Sequence, residues 1–136
     1  MAGRGIMKPL TAEVTAFFDS FVAAFGTFDG EVVSRLFSHP YLAVDQHGNQ
    51  RVFNGAKAIA SYFQHHLDNY KSIGSASCSY EALEIIPVGA LSALVTVTWR
   101  LQGADGHELS TWRESYCVLQ KEGGKLFACA SIDHAE

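Results

Sequence analysis

The chain has 136 residues, 48% of them hydrophobic and 18% charged, a length that fits one domain burying roughly two-thirds of the surface its unfolded chain exposes. Its formal charge of -4, with ten Lys and Arg scattered against fourteen Asp and Glu, leaves no basic face for phosphates, so no nucleic acid partner is expected. The apolar stretches fall far short of the ~20 residues of a membrane span, and Met1 to Leu10 lacks the apolar core of a secretory signal, so a cytoplasmic protein without a membrane partner is expected.

Residues 1–8 read as a flexible N-terminal segment, and a single domain is expected over 9–134. Pro9 and Thr11 signal a helix start, and Val14, Phe17, Phe18, Phe21 and Phe25 recur at spacings of three and four, an apolar stripe that Gly26 ends. Asp29 or Gly30 opens a shorter helix, Glu31 to Phe37, ended by Pro40. Tyr41 to Gln46 alternates as a strand, and His47-Gly48-Asn49 turns a small hairpin back through Arg51, Val52 and Phe53.

Asn54 is placed to cap a third helix, whose stripe is Ala56, Ile59, Ala60, Phe63, Leu67 and Tyr70 and whose stop is Gly74. Four strands follow: Ser75 to Ile86, Ala93 to Gln102, Leu109 to Lys121, and Lys125 to Asp133. Turn signals at Pro87 to Leu91, Gly103 to Gly106 and Glu122 to Gly124 separate them, and Pro87, lacking a ladder donor, suggests a bulge or an edge. Helices followed by an antiparallel meander give an α+β class, with three helices packed on one face of a strongly curved antiparallel sheet.

Element order, the phenylalanine-rich first helix, the segment from His39-Pro40 to Asn54-Gly55-Ala56-Lys57-Ala58-Ile59, and the tail Gly123-Gly124-Lys125-Leu126-Phe127 carry a family likeness. From Leu10 to His134 the chain resembles the NTF2-like superfamily, in its SnoaL-like and ketosteroid-isomerase-like branch. That resemblance implies a cystatin-like cone, a pocket between sheet and helices, and frequent dimers. It spans isomerases, cyclases, dehydratases and many pocket proteins, so the fold does not choose the function. Within the branch an acid in the first hairpin serves as proton-transfer base, and Asp45-Gln46-His47-Gly48 is similar to that placement. The proline that usually follows the acid is missing, and His39-Pro40 offers a rival alignment with His39 in the basic role.

With symmetric turns, the register sets Trp112 opposite His134, Glu114 opposite Ile132, Tyr116 opposite Ala130 and Val97 opposite Trp112. One face then holds Val95, Val97, Trp99, Trp112, Glu114, Tyr116, Val118, Ala128, Ala130, Ile132 and His134, and its apolar balance turns it toward the helices. Thr96, Thr98, Arg100, Arg113, Ser115, Cys117, Cys129, Ser131 and Asp133 fall on the other, an outer face suited to solvent or to a second copy in a homodimer. Glu114 stands out, because a carboxylate on an apolar inward face is expensive to bury without a partner.

The expected pocket therefore lies between Phe17, Phe21 and Phe63 on the helices and Trp99, Trp112 and Tyr116 on the sheet, with Tyr41 beside them and Glu114 and His134 as its polar floor. Glu114, His134 and Asp45 are the candidate acid–base groups. Two readings stay open: a pocket protein for a small apolar, polyketide- or steroid-like metabolite, or a cofactor-free isomerase, cyclase or dehydratase using these groups for proton transfer. Packing alone also accounts for the aromatics, and a solvated turn accounts for Asp45.

No cofactor is expected, since nucleotide loops and nucleophile-elbow motifs are missing. Nor is a metal expected, since His65 and His66 are adjacent and point about 100° apart. Cys78, Cys117 and Cys129 match neither a metal knuckle nor a disulfide framework and read as reduced, structural thiols.

Overall fold

The phenylalanine stripe of the first helix seeds the core: Val14, Phe18 and Phe21 lose all contact with solvent, and Phe17 keeps only 7%. In the computed structural model, which describes the backbone of residues 2–135 and the side chains of residues 11–135 apart from Glu122, this helix, α1, spans Ala2–Phe25. Residues 2–8 thus form its opening turns and Thr11 lies inside the helix, while Met1 lies outside the described residues.

Helix α2 (Gly30–Ser34) is capped by Asp29, whose carboxylate accepts the Glu31 amide at 2.9 Å. It ends earlier than the sequence suggested, because Phe37 already opens strand β1 (Phe37–Val44). Strand β2 (Gln50–Phe53) leads into α3 (Ala56–Ser72), which starts after Gly55 and buries Ile59, Phe63 and Leu67. Gly30 lets α2 press its backbone on α3, since a Cβ there would come 2.3 Å from the Ala60 carbonyl oxygen. Gln64 of α3 fastens the contact, accepting the Gly30 amide at 2.7 Å and donating to the Phe28 carbonyl at 3.1 Å.

Strands β3 (Ser75–Val88), β4 (Ser92–Gly103), β5 (Glu108–Gln120) and β6 (Leu126–Asp133) complete one six-stranded sheet in the order β2-β1-β6-β5-β4-β3. Pro87 sits on the edge strand β3. Unlike the antiparallel, strongly curved sheet expected, this one is mixed and not strongly curled. The long excursion through α3 and β3 to β5 returns β6 beside β1 in the same direction, which a tight hairpin cannot do.

The register also differs from the symmetric-turn reading. Val97 pairs with Glu114 and Trp99 with Trp112, two residues from the expected partners. Between β5 and β6 the ladder slips: Val118 pairs with Ala128 but Cys117 with Ala130, leaving Cys129 as an extra residue. A bulge of this kind exchanges the two faces of everything beyond it. Ser131 and Asp133 therefore turn inward toward the helices, while Ile132 turns outward and stays 48% exposed.

Beneath the helices lie Val95, Val97 and Trp99 of β4, Tyr116 and Val118 of β5, and Ala128 of β6. On the outer face, polar pairs run across the strands, with Arg100 bound to Glu81 and Glu108, Arg113 to Glu84, and Thr96 to Ser115. No helix among the described residues is long and apolar enough to cross a membrane.

Candidate functional site

The inner face of the sheet and the helices do not meet along their whole length. Beyond the Phe18 and Phe21 layer they part around a cavity of about 420 Å³, within the range of small-molecule sites. Strands β4, β5 and β6 supply Trp99, Trp112, Glu114, Tyr116, Ser131 and Asp133, and β1 supplies Tyr41. Helix α3 roofs the cavity with Tyr62, Phe63, His66 and Tyr70, and the β1–β2 turn brings Asp45 and His47 to it. The α3 aromatics form a continuous belt with the sheet, from Tyr62 to His66 at 4.6 Å between ring centroids and from Tyr70 to Trp112 at 6.0 Å.

At the sheet side of the cavity two carboxyl groups face each other. Glu114 and Asp133 are direct cross-strand partners, close enough for the charge of one carboxyl to act on the other. Trp112 Nε1 donates to Glu114 Oε1 at 2.9 Å. Tyr116 is held by Trp99, whose Nε1 donates to the phenol oxygen at 2.8 Å. Alongside, the Tyr41 hydroxyl and Ser131 Oγ share a buried hydrogen bond at 2.5 Å.

Burial is the main cause that lifts the Glu114 carboxyl to about 8, and the neighbouring Asp133 charge adds to it. Asp133 is raised as well, first by burial, with the neighbouring Glu114 opposing and the Asp45 charge adding. Two close carboxyls with both affinities raised hold one proton between them near neutral pH. Burial keeps the surrounding groups neutral, pushing the Tyr62 phenol to about 12 and the Cys78 thiol to about 11, and lowering His66.

Of the residues singled out from sequence, Tyr41, Phe63, Trp99, Trp112, Tyr116, Glu114, Asp45 and His134 all contribute to the cavity wall. Phe17 and Phe21 do not; they lie in the core, where Phe21 packs on Trp99 at 5.7 Å and on Tyr116 at 5.6 Å. His134 does not share the floor with Glu114, because the β6 bulge sends its ring toward the outer-face Ser115, Nε2 to Oγ at 2.7 Å. Asp133 takes the inward place. Asp45 organises its own turn, accepting the His47 amide at 2.9 Å and the Asn49 amide at 3.0 Å. The hydrogen bonds from Asn49 hold its carboxyl below the usual range.

Sequence reasoning did not place Asp133, Ser131, Tyr62 and Tyr70 at the site. Tyr70 lay on the α3 stripe, whereas alternation set Ser131 and Asp133 on the outer face. The extra residue that turns them inward has no sequence signature of its own. Among the described residues no group of three or more His, Cys, Asp or Glu is placed to hold a metal.

A family model described as NTF2-like protein (DUF6841) matches residues 12–133. The chain belongs to this NTF2-like family. Solved structures agree in fold. An NTF2-like protein with a cystatin-like fold from Novosphingobium aromaticivorans superposes with a TM-score of 0.76 at 12% identity, covering 98% of this chain and 86% of that one. A domain of unknown function with a cystatin-like fold from Nostoc punctiforme gives 0.70 at 21% identity, over 93% and 78% of the two chains. A ketosteroid isomerase-like protein from Erwinia carotovora gives 0.67 at 15% identity, over 90% and 93%. No curated protein matches this NTF2-like chain in sequence.

Proposed function

We propose that this NTF2-like protein binds a small, largely apolar metabolite, of polyketide- or steroid-like size, in the cavity between α3 and the sheet. The observation that carries this reading is the Glu114–Asp133 pair set in a chamber of about 420 Å³ walled by aromatic rings together with polar groups such as Ser110, Thr111 and Ser131. Half-buried carboxyls of raised affinity in a concave pocket with aromatic walls are the usual make-up of a ligand site and a poor choice for stability alone. A metabolite library screened through the fluorescence of Trp99 and Trp112 tests it. Ligands should be found whose affinity falls with Tyr70→Ala or Glu114→Gln; a set of hits indifferent to both changes would place binding elsewhere and sink the reading.

The shared proton favours a second reading, cofactor-free proton transfer of the isomerase, cyclase or dehydratase kind. A pair holding one proton near neutral pH can give it to one atom of a substrate and accept one from another. Purified protein should then convert a bound ligand, and Glu114→Gln should slow turnover about 100-fold or more while the fold is kept. Conversion that persists at the original rate in that variant would remove the role.

The outer sheet face supports pairing with a second copy. Leu94, Ile132 and Ile86 stand on it 45%, 48% and 59% exposed, beside a seam of paired charges. Such an apolar patch suits a self-complementary interface.

A further inference from the structure

If the cavity is a binding site, its chemistry restricts which polar group the ligand carries. Three carboxyl-bearing residues, Asp45, Glu114 and Asp133, contribute to its wall, and neither Lys nor Arg does. Arg51 stands over the rings of Phe53 and Tyr62 at 5.0 and 5.5 Å and is not part of the wall. Of the three wall histidines, His66 is held neutral by burial, His134 turns its ring to Ser115, and His47 lies in the β1–β2 turn beside Asp45. Among the described residues, neither Glu114 nor Asp133 forms an ion pair with a basic side chain. One proton shared by two carboxyls leaves a single negative charge there without a counter-charge. An anionic ligand would meet repulsion, and a neutral one would leave that charge uncompensated.

Two further features answer to a cation. Tyr62, Tyr70 and Trp112 present aromatic rings to the cavity, and ring faces attract ammonium groups most strongly where water is scarce. The hydroxyls of Tyr62 and Tyr70 make no hydrogen bond among the described residues, although burial keeps both phenols protonated. They are left free to accept an N–H donor.

We infer that the ligand is an organic amine bound as its monocation, with the ammonium on the Glu114–Asp133 pair and the hydrocarbon part against Tyr62, Tyr70 and Trp112. This rests on the pocket reading above and narrows it to one ligand class. The amine's charge matches the one negative charge that the pair retains, so no second counter-ion is needed.

The test uses three probes that share a ring and a two-carbon chain and differ in the end group: phenethylamine, phenethyl alcohol and phenylacetate. Binding to the full chain at neutral pH is followed by tryptophan fluorescence and by ligand-observed NMR. Phenethylamine should bind about tenfold tighter than the alcohol, and phenylacetate weakest of all. Asp133→Asn, which removes the charge, should weaken the amine about tenfold while changing the alcohol less than about threefold, and Glu114→Gln, which leaves the charge on Asp133, should weaken the amine less. Glu81→Gln, on the outer face, should leave all three unchanged and so controls for attraction by the net negative charge.

An alcohol that binds as tightly as the amine overturns the cation assignment and leaves the pocket intact. Amine binding that weakens equally in Glu81→Gln, or in none of the variants, also overturns it. If none of the probes binds at millimolar concentration, the assignment falls and the pocket reading loses its support with it.

Discussion

Glu114 and Asp133 meet across β5 and β6 as direct register partners, and Trp112 donates a hydrogen bond to Glu114. Like charges directly opposed on a sheet repel, so this pairing persists by keeping a proton. Its cost should appear in the dependence of stability on pH. The folded Glu114 carboxyl holds its proton to about 8 against an ordinary value of 4.5, so folding takes up protons between those limits and stability falls as pH rises through the window. Asp133, also raised, adds to the same slope. Asp45, Glu81 and Asp105, all held low, give the opposite slope only in more acidic solution. Urea denaturation across the range should show a loss of about 2 kcal/mol, discounted because the open cavity admits water. Glu114→Gln should remove most of it. A flat profile in the parent protein would contradict the shared proton.

Tyr41 and Ser131 offer a cleaner energetic test. Both are buried, at 1% and 5% exposure, and each hydroxyl has the other as its partner. Tyr41→Phe should cost about 1–3 kcal/mol by stranding the Ser131 hydroxyl, and Ser131→Ala about as much. The double variant should lose less than the sum of the two, since both polar groups are then gone. Strict additivity in a denaturation cycle would mean that the bond contributes nothing.

Gly30 is fixed by proximity and not by backbone angle. A methyl group there would press on the Ala60 carbonyl oxygen at 2.3 Å and the Gln64 amide nitrogen at 2.7 Å, both backbone atoms of α3. Gly30→Ala should therefore destabilise the protein by about 1–3 kcal/mol, even though alanine favours a helix. Thermal unfolding reads this directly, and an unchanged or higher melting temperature would show that α2 shifts freely on α3.

The pairing proposed for the outer face carries a hydrodynamic prediction. Sedimentation at micromolar concentration should give twice the monomer mass, and Leu94→Arg combined with Ile132→Arg should return it to the monomer value with the fold intact by circular dichroism. A parent protein that sediments as a monomer would dismiss the interface.

Much of this architecture was legible because it rests on local periodicity. The α1 stripe from Val14 to Phe25, the Ile59-Phe63-Leu67 stripe of α3 and the four long strands all follow from spacings of three, four or two. Glu114 declared itself by the same logic, as a carboxylate at an inward position among aromatics. The boundaries of α2 were less legible, because five residues carry too little period to separate helix from the strand that follows.

What the sequence by itself determined was the family fold, the helical face that covers the sheet, and the aromatic and acidic character of the cavity, since side-chain period and composition express these directly. Only the tertiary structure decided that Asp133 and not His134 stands beside Glu114. A single extra residue at Cys129 exchanges inside and outside for the end of β6, and no local propensity marks it. Pairing with β1 as well as β5 settles that register, and those contacts exist only once the chain has closed on itself.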